Sequence, residues 1–169
     1  MRSEIRNLLH VTPETFWDRL FFDQDFNEGV YREMGFETYA VEREERNEAG
    51  DVERVVRGVP PLRVPGIIKR RLDGRVYYRE EGQLEAATGV WSFVSQPSVV
   101  PDQVDIRGRI HLEPHPEGCT HVCELNTRIT AWGIGRLIER IVDRNTRESY
   151  TVFTAFTNRW AREKGLAIR

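Results

Sequence analysis

The sequence predicts an α+β domain, with a curved antiparallel sheet of six or seven strands around one long C-terminal helix. Three observations carry this expectation. From Phe36 onward, short runs alternate with period two and are separated by turn residues. A helical pair is signalled ahead of them, between Thr12 and Gly35. One apolar stripe of helical period then runs from Gly133 to Gly165. Most joins between the period-two runs are short, which favours antiparallel pairing.

Ser3 to Val11 reads as the first strand, with Ile5, Leu9 and Val11 on one face. Thr12 offers an N-cap oxygen, and Pro13 fits the first helical position, where its missing N–H costs nothing. Phe16, Trp17, Leu20 and Phe21 give that helix an apolar face. Phe26, Val30 and Met34 do the same for a second helix, which Gly35 ends. Tyr39, Val41, Arg43 and Glu45 then share one face of a strand. A turn at Asn47–Asp51 leads to a strand in "VERVVRGV". "PPLRVPG", Pro60 to Gly66, is too rich in proline for a central strand and is expected as a loop or edge. "IIKRRLDG" favours no one type. Strands follow in "RVYYREEGQL" and "EAATGVWSFVSQP". In the next, Val104, Ile106, Gly108, Ile110 and Leu112 oppose Asp105, Arg107, Arg109 and His111. After the turn "PHPEG" comes the last strand, where Val122 and Leu125 suggest irregular alternation or a bulge.

A chain of 169 residues suits a single domain spanning 1–169 with a real core. Its formal charge of -2 gives no general attraction to nucleic acid, so no nucleic-acid partner is expected. Cys119 and Cys123 lie four apart on one strand, on the same face but too far apart for an unstrained bridge. Reduced thiols follow, and with no signal-like or membrane-spanning apolar run a cytoplasmic location is expected.

The terminal helix is the most informative segment. Ile134, Leu137, Ile138, Ile141, Val142, Val152, Phe153, Phe156 and Trp160 lie on one broad stripe. Asn145 and Ser149 interrupt that stripe in its middle, four apart and therefore on one line. If helical from Ile134 to Lys164, the segment is about 45 Å long, enough to cross a sheet. In a dry core each polar group needs a protein partner, since an unpaired one costs about 1–3 kcal/mol. Ser149 could bond a helix carbonyl and Asn145 a strand or water. In a cavity, a ligand could serve instead.

The order of strand, helix pair, sheet and long terminal helix resembles the helix-grip (START-like) superfamily, which includes START lipid-transfer domains, the birch-pollen-allergen family and polyketide cyclases. The likeness spans Ser3 to about Gly165. "TPETFWDRLFFDQDFNEGVYREMGFETYAV" is similar to the opening of bacterial START-like domains of unknown function, and more distantly to sterol-binding VASt domains. Phe16, Phe21, Phe22 and Phe26 carry that likeness. It implies a cavity between sheet and helix for a lipid, sterol or polyketide-like molecule. On this chain the implied wall is Ile138, Ile141, Val142, Asn145, Ser149, Val152, Phe153 and Phe156.

No catalytic signature is matched, and no cofactor is expected. Tyr78 and Glu80 share a strand face, so Glu80 points inward if Tyr78 does and could pair with Arg43 or Arg54. Tyr78, Glu80 and His121 are therefore the candidates for acid–base work, set against a sheet edge of paired surface charges. His111, His115 and His121 could meet across a hairpin, but they complete no familiar metal pattern and no metal is expected. "DQDFNEG" fails as a calcium loop at two positions, which leaves its acids to start or cap a helix. "GIGRL" lacks the full phosphate-loop fingerprint, and its glycines serve a strand-to-helix turn. "IIKRR" beside the proline-rich stretch could touch an anionic membrane surface transiently. Three functions remain open: a noncatalytic binder of a hydrophobic molecule, a cyclase or aromatase-like enzyme using the same cavity, or a closed interaction module with a filled interior. Oligomeric state is not legible.

Overall fold

The period-two runs form seven strands in a computed structural model that describes residues 1–61, 76–98, 101–130 and 135–168, without the side chain of Ile138. The strands are β1 (Arg2–Leu9), β2 (Thr38–Arg46), β3 (Val52–Val59), β4 (Tyr78–Glu85), β5 (Val90–Pro97), β6 (Val104–His115) and β7 (Gly118–Ile129). They lie in the order β1-β7-β6-β5-β4-β3-β2. Each neighbouring pair is antiparallel. The sheet is thus a meander from β2 to β7, with the first strand added beside the last.

Between β1 and β2 the chain makes the helical pair. Thr12 caps α1 (Pro13–Phe16) by accepting from Thr15 N at 3.1 Å. A π-helical turn follows at Trp17–Phe21. Its wider winding brings Phe16 and Phe21, five apart, to a ring separation of 5.7 Å. Asp23 then caps α2 (Gln24–Glu33), accepting from Phe26 N at 2.7 Å. That is the capping role left to this acidic stretch once calcium binding fails. Asn27 closes the joint by donating Nδ2 to Phe21 O at 3.0 Å and Asp23 O at 2.7 Å.

The long helix, α3 (Gly135–Glu163), has 29 residues and spans about 44 Å at ~1.5 Å per residue. It is fastened to β1. Ser3 Oγ donates to Asp143 Oδ1 at 2.6 Å, and Asn158 accepts from His10 N at 2.8 Å while donating to Leu8 O at 3.1 Å. The core fills between sheet, helical pair and the C-terminal half of α3. Phe16, Leu20, Phe26 and Trp91 are buried there, with Phe153 and Trp160 against them.

Three expectations are corrected. The alternation of β2 does not run through: the register slips between Val41 and Arg43. This bulge puts Arg43 on the outer face, near Glu45 and Glu53, so it cannot meet Glu80. No bulge is present in β7, whose register with β1 and β6 is continuous over the described pairs. Val122 is buried on the outer face instead, in register with Arg6 and His111 and flanked by the Arg6–Glu113 ion pair. Long charged side chains cover it, which is how an apolar residue can sit on the wrong face. Finally, Glu85 ends β4 and Ala86 to Gly89 form the turn ahead of β5, so none of these residues belongs to β5. Cys119 and Cys123 are free and buried on one face of β7, as their spacing requires. The "IIKRR" run and most of the proline-rich stretch lie outside the described residues. No helix among the described residues is long and apolar enough to cross a membrane.

Candidate ligand cavity

Between the concave sheet face and α3 lies a cavity of about 460 Å³. The space has a cause in the sequence. Trp91 and Phe93 project inward from β5, but their rings lie over the neighbouring strands instead of standing up from the sheet. Trp91 lies over Gly82 of β4, where a Cβ would come within 2.8 Å of indole Cη2 and nearer to Cζ2 and Cε2. Phe93 lies over Gly108 of β6 in the same way. Glycine is required at both positions for this close approach. The folded-down rings pave the cavity floor and leave the volume above them open. The filled interior expected of a closed module is therefore not what the described residues form.

The helix supplies the opposite wall. Of the positions expected there, Ile141, Val142, Asn145, Ser149 and Phe153 line the cavity. Val152 packs against the core instead. Phe156 turns toward α2, with its ring 5.6 Å from both Phe26 and Trp160. The stripe is too broad for every apolar residue on it to face one space. Ile138 lies outside the described side chains.

The polar gap in α3 remains a gap. Thr146, Thr151, Thr154 and Thr157 each return a hydroxyl to the carbonyl four residues back, at 2.7–3.0 Å. Ser149 makes no hydrogen bond among the described residues, and Asn145 Oδ1 is buried without a partner. Trp91 Nε1, Arg54 Nε and His121 Nδ1 are buried and unpaired at the same cavity. Each such atom costs free energy, and a shared location makes the cost informative.

The second polar group lies on β3 and β4. Tyr78 and Glu80 both face inward and line the cavity. Arg54, only 4% exposed, sits in a cage of rings at 4.5 Å from Phe21, 5.0 Å from Phe22 and 5.3 Å from Trp91. Its Nη1 donates to Phe21 O at 2.8 Å, the carbonyl that ends the π-helical turn. Burial pushes the Glu80 carboxyl up to about 7, against the pull of the Arg54 charge. No direct ion pair joins the two among the described contacts. Around Glu80 lie Tyr31, stacked on Tyr39 at 3.6 Å, and Phe36, 6.1 Å from Tyr78. Burial raises the Tyr31, Tyr78 and Tyr150 hydroxyls well above the usual phenol range, so all three remain protonated donors.

His121 is 1% exposed and packs 5.4 Å from the rings of Tyr150 and Phe153. Burial lowers it to about 4, which keeps it neutral. It does not converge with His111: on adjacent positions of the β6–β7 ladder, His121 faces inward and His111 outward. The thiols of Cys119 and Cys123 are pushed up to about 11 by burial, so neither is an activated nucleophile.

Sequence reasoning found the helical half of the cavity and the Tyr78–Glu80 pair. It missed Arg54 as a buried wall residue, along with the aromatic floor. The available signal was a glycine at the inward position of β4 and β6 beside the inward aromatics of β5.

A curved seven-stranded antiparallel sheet wrapped on a long C-terminal helix is the helix-grip, START-like fold. Solved structures share this fold at low identity. TTHA0849 from Thermus thermophilus is 20% identical with a TM-score of 0.62, covering 94% of each chain. The Zhui aromatase/cyclase from Streptomyces sp. R1128 is 12% identical with a TM-score of 0.64, also covering 94% of each chain. Protein CV1439 from Chromobacterium violaceum is 14% identical with a TM-score of 0.58, covering 93% of this chain and 96% of its own. No curated protein matches by sequence. Residues 9–161 match the model of a protein family of unknown function, DUF2505, and the chain belongs to that family.

Proposed function

We propose that this protein binds an apolar small molecule between the sheet and α3, without catalysis. The observation that carries this reading is the cavity of about 460 Å³, with unpaired polar atoms gathered at its walls. That volume falls within the roughly 300–1,000 Å³ typical of small-molecule sites. Apolar contact supplies most of the affinity, at about 25 cal/mol for each Å² buried. Ile141, Val142 and Phe153 give contact area, and Asn145 and Ser149 orient the ligand. A lipid, sterol or polyketide-like molecule has the right character. The test is solvent extraction of the purified protein with mass spectrometry, together with titration by fluorescent apolar probes. A co-purified molecule or saturable 1:1 binding is expected. Neither appearing, with the protein folded, would overturn the reading.

A second reading is favoured by Glu80. A carboxyl near neutrality, inside a cavity and beside tyrosine donors, can exchange a proton at working pH. An enzyme resembling polyketide cyclases or aromatases would use Glu80 as acid or base, with Tyr78 or His121 orienting the substrate. Turnover of a cyclisable polyketide, lost in E80Q with the fold intact, separates this reading from simple binding.

A further inference from the structure

We propose that the ligand is uncharged and presents a hydroxyl group to Glu80, so that fatty acids and other anionic lipids are not its class. The inference rests on the binding reading and adds the chemistry of the polar end. Among the described residues lining the cavity, Arg54 and Glu80 are the only side chains with full formal charges. They balance each other without touching. With Glu80 ionised, a second anion in this low-dielectric space must either face that charge or drive a proton onto Glu80, and a second cation would face Arg54. A cation leaves an uncompensated charge and an anion must compete with ionisation of Glu80, whereas a neutral ligand preserves the balance with no proton taken up.

Hydrogen bonding selects among neutral ligands. The Glu80 carboxylate accepts no hydrogen bond from a described residue, although it lies in a wall of rings. A hydroxyl supplies the missing donor, and its oxygen can accept from a neighbouring tyrosine. The titratable and charged groups facing Glu80 come from every packed element: Arg54 from β3, Tyr39 from β2, Tyr31 from α2, Tyr78 from β4, His121 and Cys123 from β7, and Tyr150 from α3. The tyrosines, the thiol and His121 keep their protons or their neutrality between pH 6 and 8. Glu80 alone among the lining groups changes charge there, so the pH dependence of binding reports on it.

The experiment uses the whole protein and four fluorescent probes on one framework: naphthalene, 2-naphthalenemethanol, 2-naphthoate and 2-naphthalenemethylamine. At pH 8, where Glu80 is ionised, the alcohol is expected to bind about tenfold more tightly than the carboxylate or the ammonium probe, the scale of one hydrogen bond to a charged group. Its affinity should rise from pH 6 to pH 8, because a donor favours the ionised carboxyl. E80Q should abolish that pH dependence, and E80L should bring the alcohol down to the affinity of naphthalene. A carboxylate probe that binds best, or alcohol binding unchanged by pH and by E80L, would overturn the inference and leave the binding reading standing. No binding of any probe, naphthalene included, would overturn both.

Discussion

Replacing Gly82 with alanine tests whether the cavity is made by rings laid flat on the sheet. Away from contacts, glycine to alanine in a strand stabilises by about 0.5–1 kcal/mol through lost unfolded-state entropy. Here the new methyl would sit within 2.8 Å of Trp91 Cη2, with two more indole atoms nearer. Restoring carbon–carbon contact of about 3.5–4.0 Å requires the ring to lift by about 1–2 Å. The sheet lies beneath it, so it can lift only toward the cavity. Trp91 is 1% exposed and packs on Phe21 at 5.1 Å and Phe22 at 5.9 Å, so its movement disturbs the whole cluster. Overpacking of this kind costs about 1–3 kcal/mol. For a chain of this size that lowers Tm by about 2–12 °C, at ~2–4 °C per kcal/mol. The assay is thermal unfolding followed by tryptophan fluorescence, with naphthalene titration in parallel. Both stability and probe affinity should fall. A stabilised G82A protein with unchanged probe binding would refute the reasoning, because the indole could not then be resting on Gly82.

Asn145→Leu removes an unpaired buried acceptor while keeping the branching and the number of side-chain heavy atoms, and the cavity has room for its larger methyls, so it should raise stability by about 1 kcal/mol or more in the ligand-free protein, read by thermal melt. Asp23→Ala deletes the cap of α2 and should cost about 1 kcal/mol without changing probe affinity. The pH dependence of stability has two opposing parts. Glu80, raised from 4.5 to about 7, retains its proton in the folded state, so its contribution is full below pH 4.5 and lost as pH rises to 7, by up to about 3 kcal/mol. His121, lowered from 6.5 to about 4, contributes stability above pH 6.5 that is lost as pH falls toward 4. The two nearly cancel between pH 4.5 and 6.5. Urea unfolding across that window should be almost flat in the parent protein and rise with pH in E80Q; a flat E80Q profile would contradict the buried state of His121.

The architecture was legible because its signals are local and repetitive. Inward residues of β6 and the stripe on α3 are periodic, and periodicity survives any tertiary arrangement. The cap residues Thr12 and Asp23 were readable for the same reason. What escaped depends on neighbours distant in sequence. The β2 bulge reverses the facing of Arg43 and is set by pairing with β3, which no count along β2 contains. Arg54 looks like a strand-surface charge until the π-helical turn supplies Phe21 O and three rings to hold it. Phe156 and Phe153 share the same stripe, yet only the position of α2 decides which one faces the cavity.

The place of β1 has a consequence for how the protein is made. Its partner is β7, whose paired residues are about 110 to 124 positions later in the chain. At about 5–20 residues per second, a ribosome needs roughly 6–25 s to deliver that partner. Until then Ile5 and Leu9 have no sheet to join, and Asn158, which fastens α3 to β1, is delivered later still. The nascent chain can assemble the meander from β2 onward, but the molecule closes only when its earliest and latest segments meet.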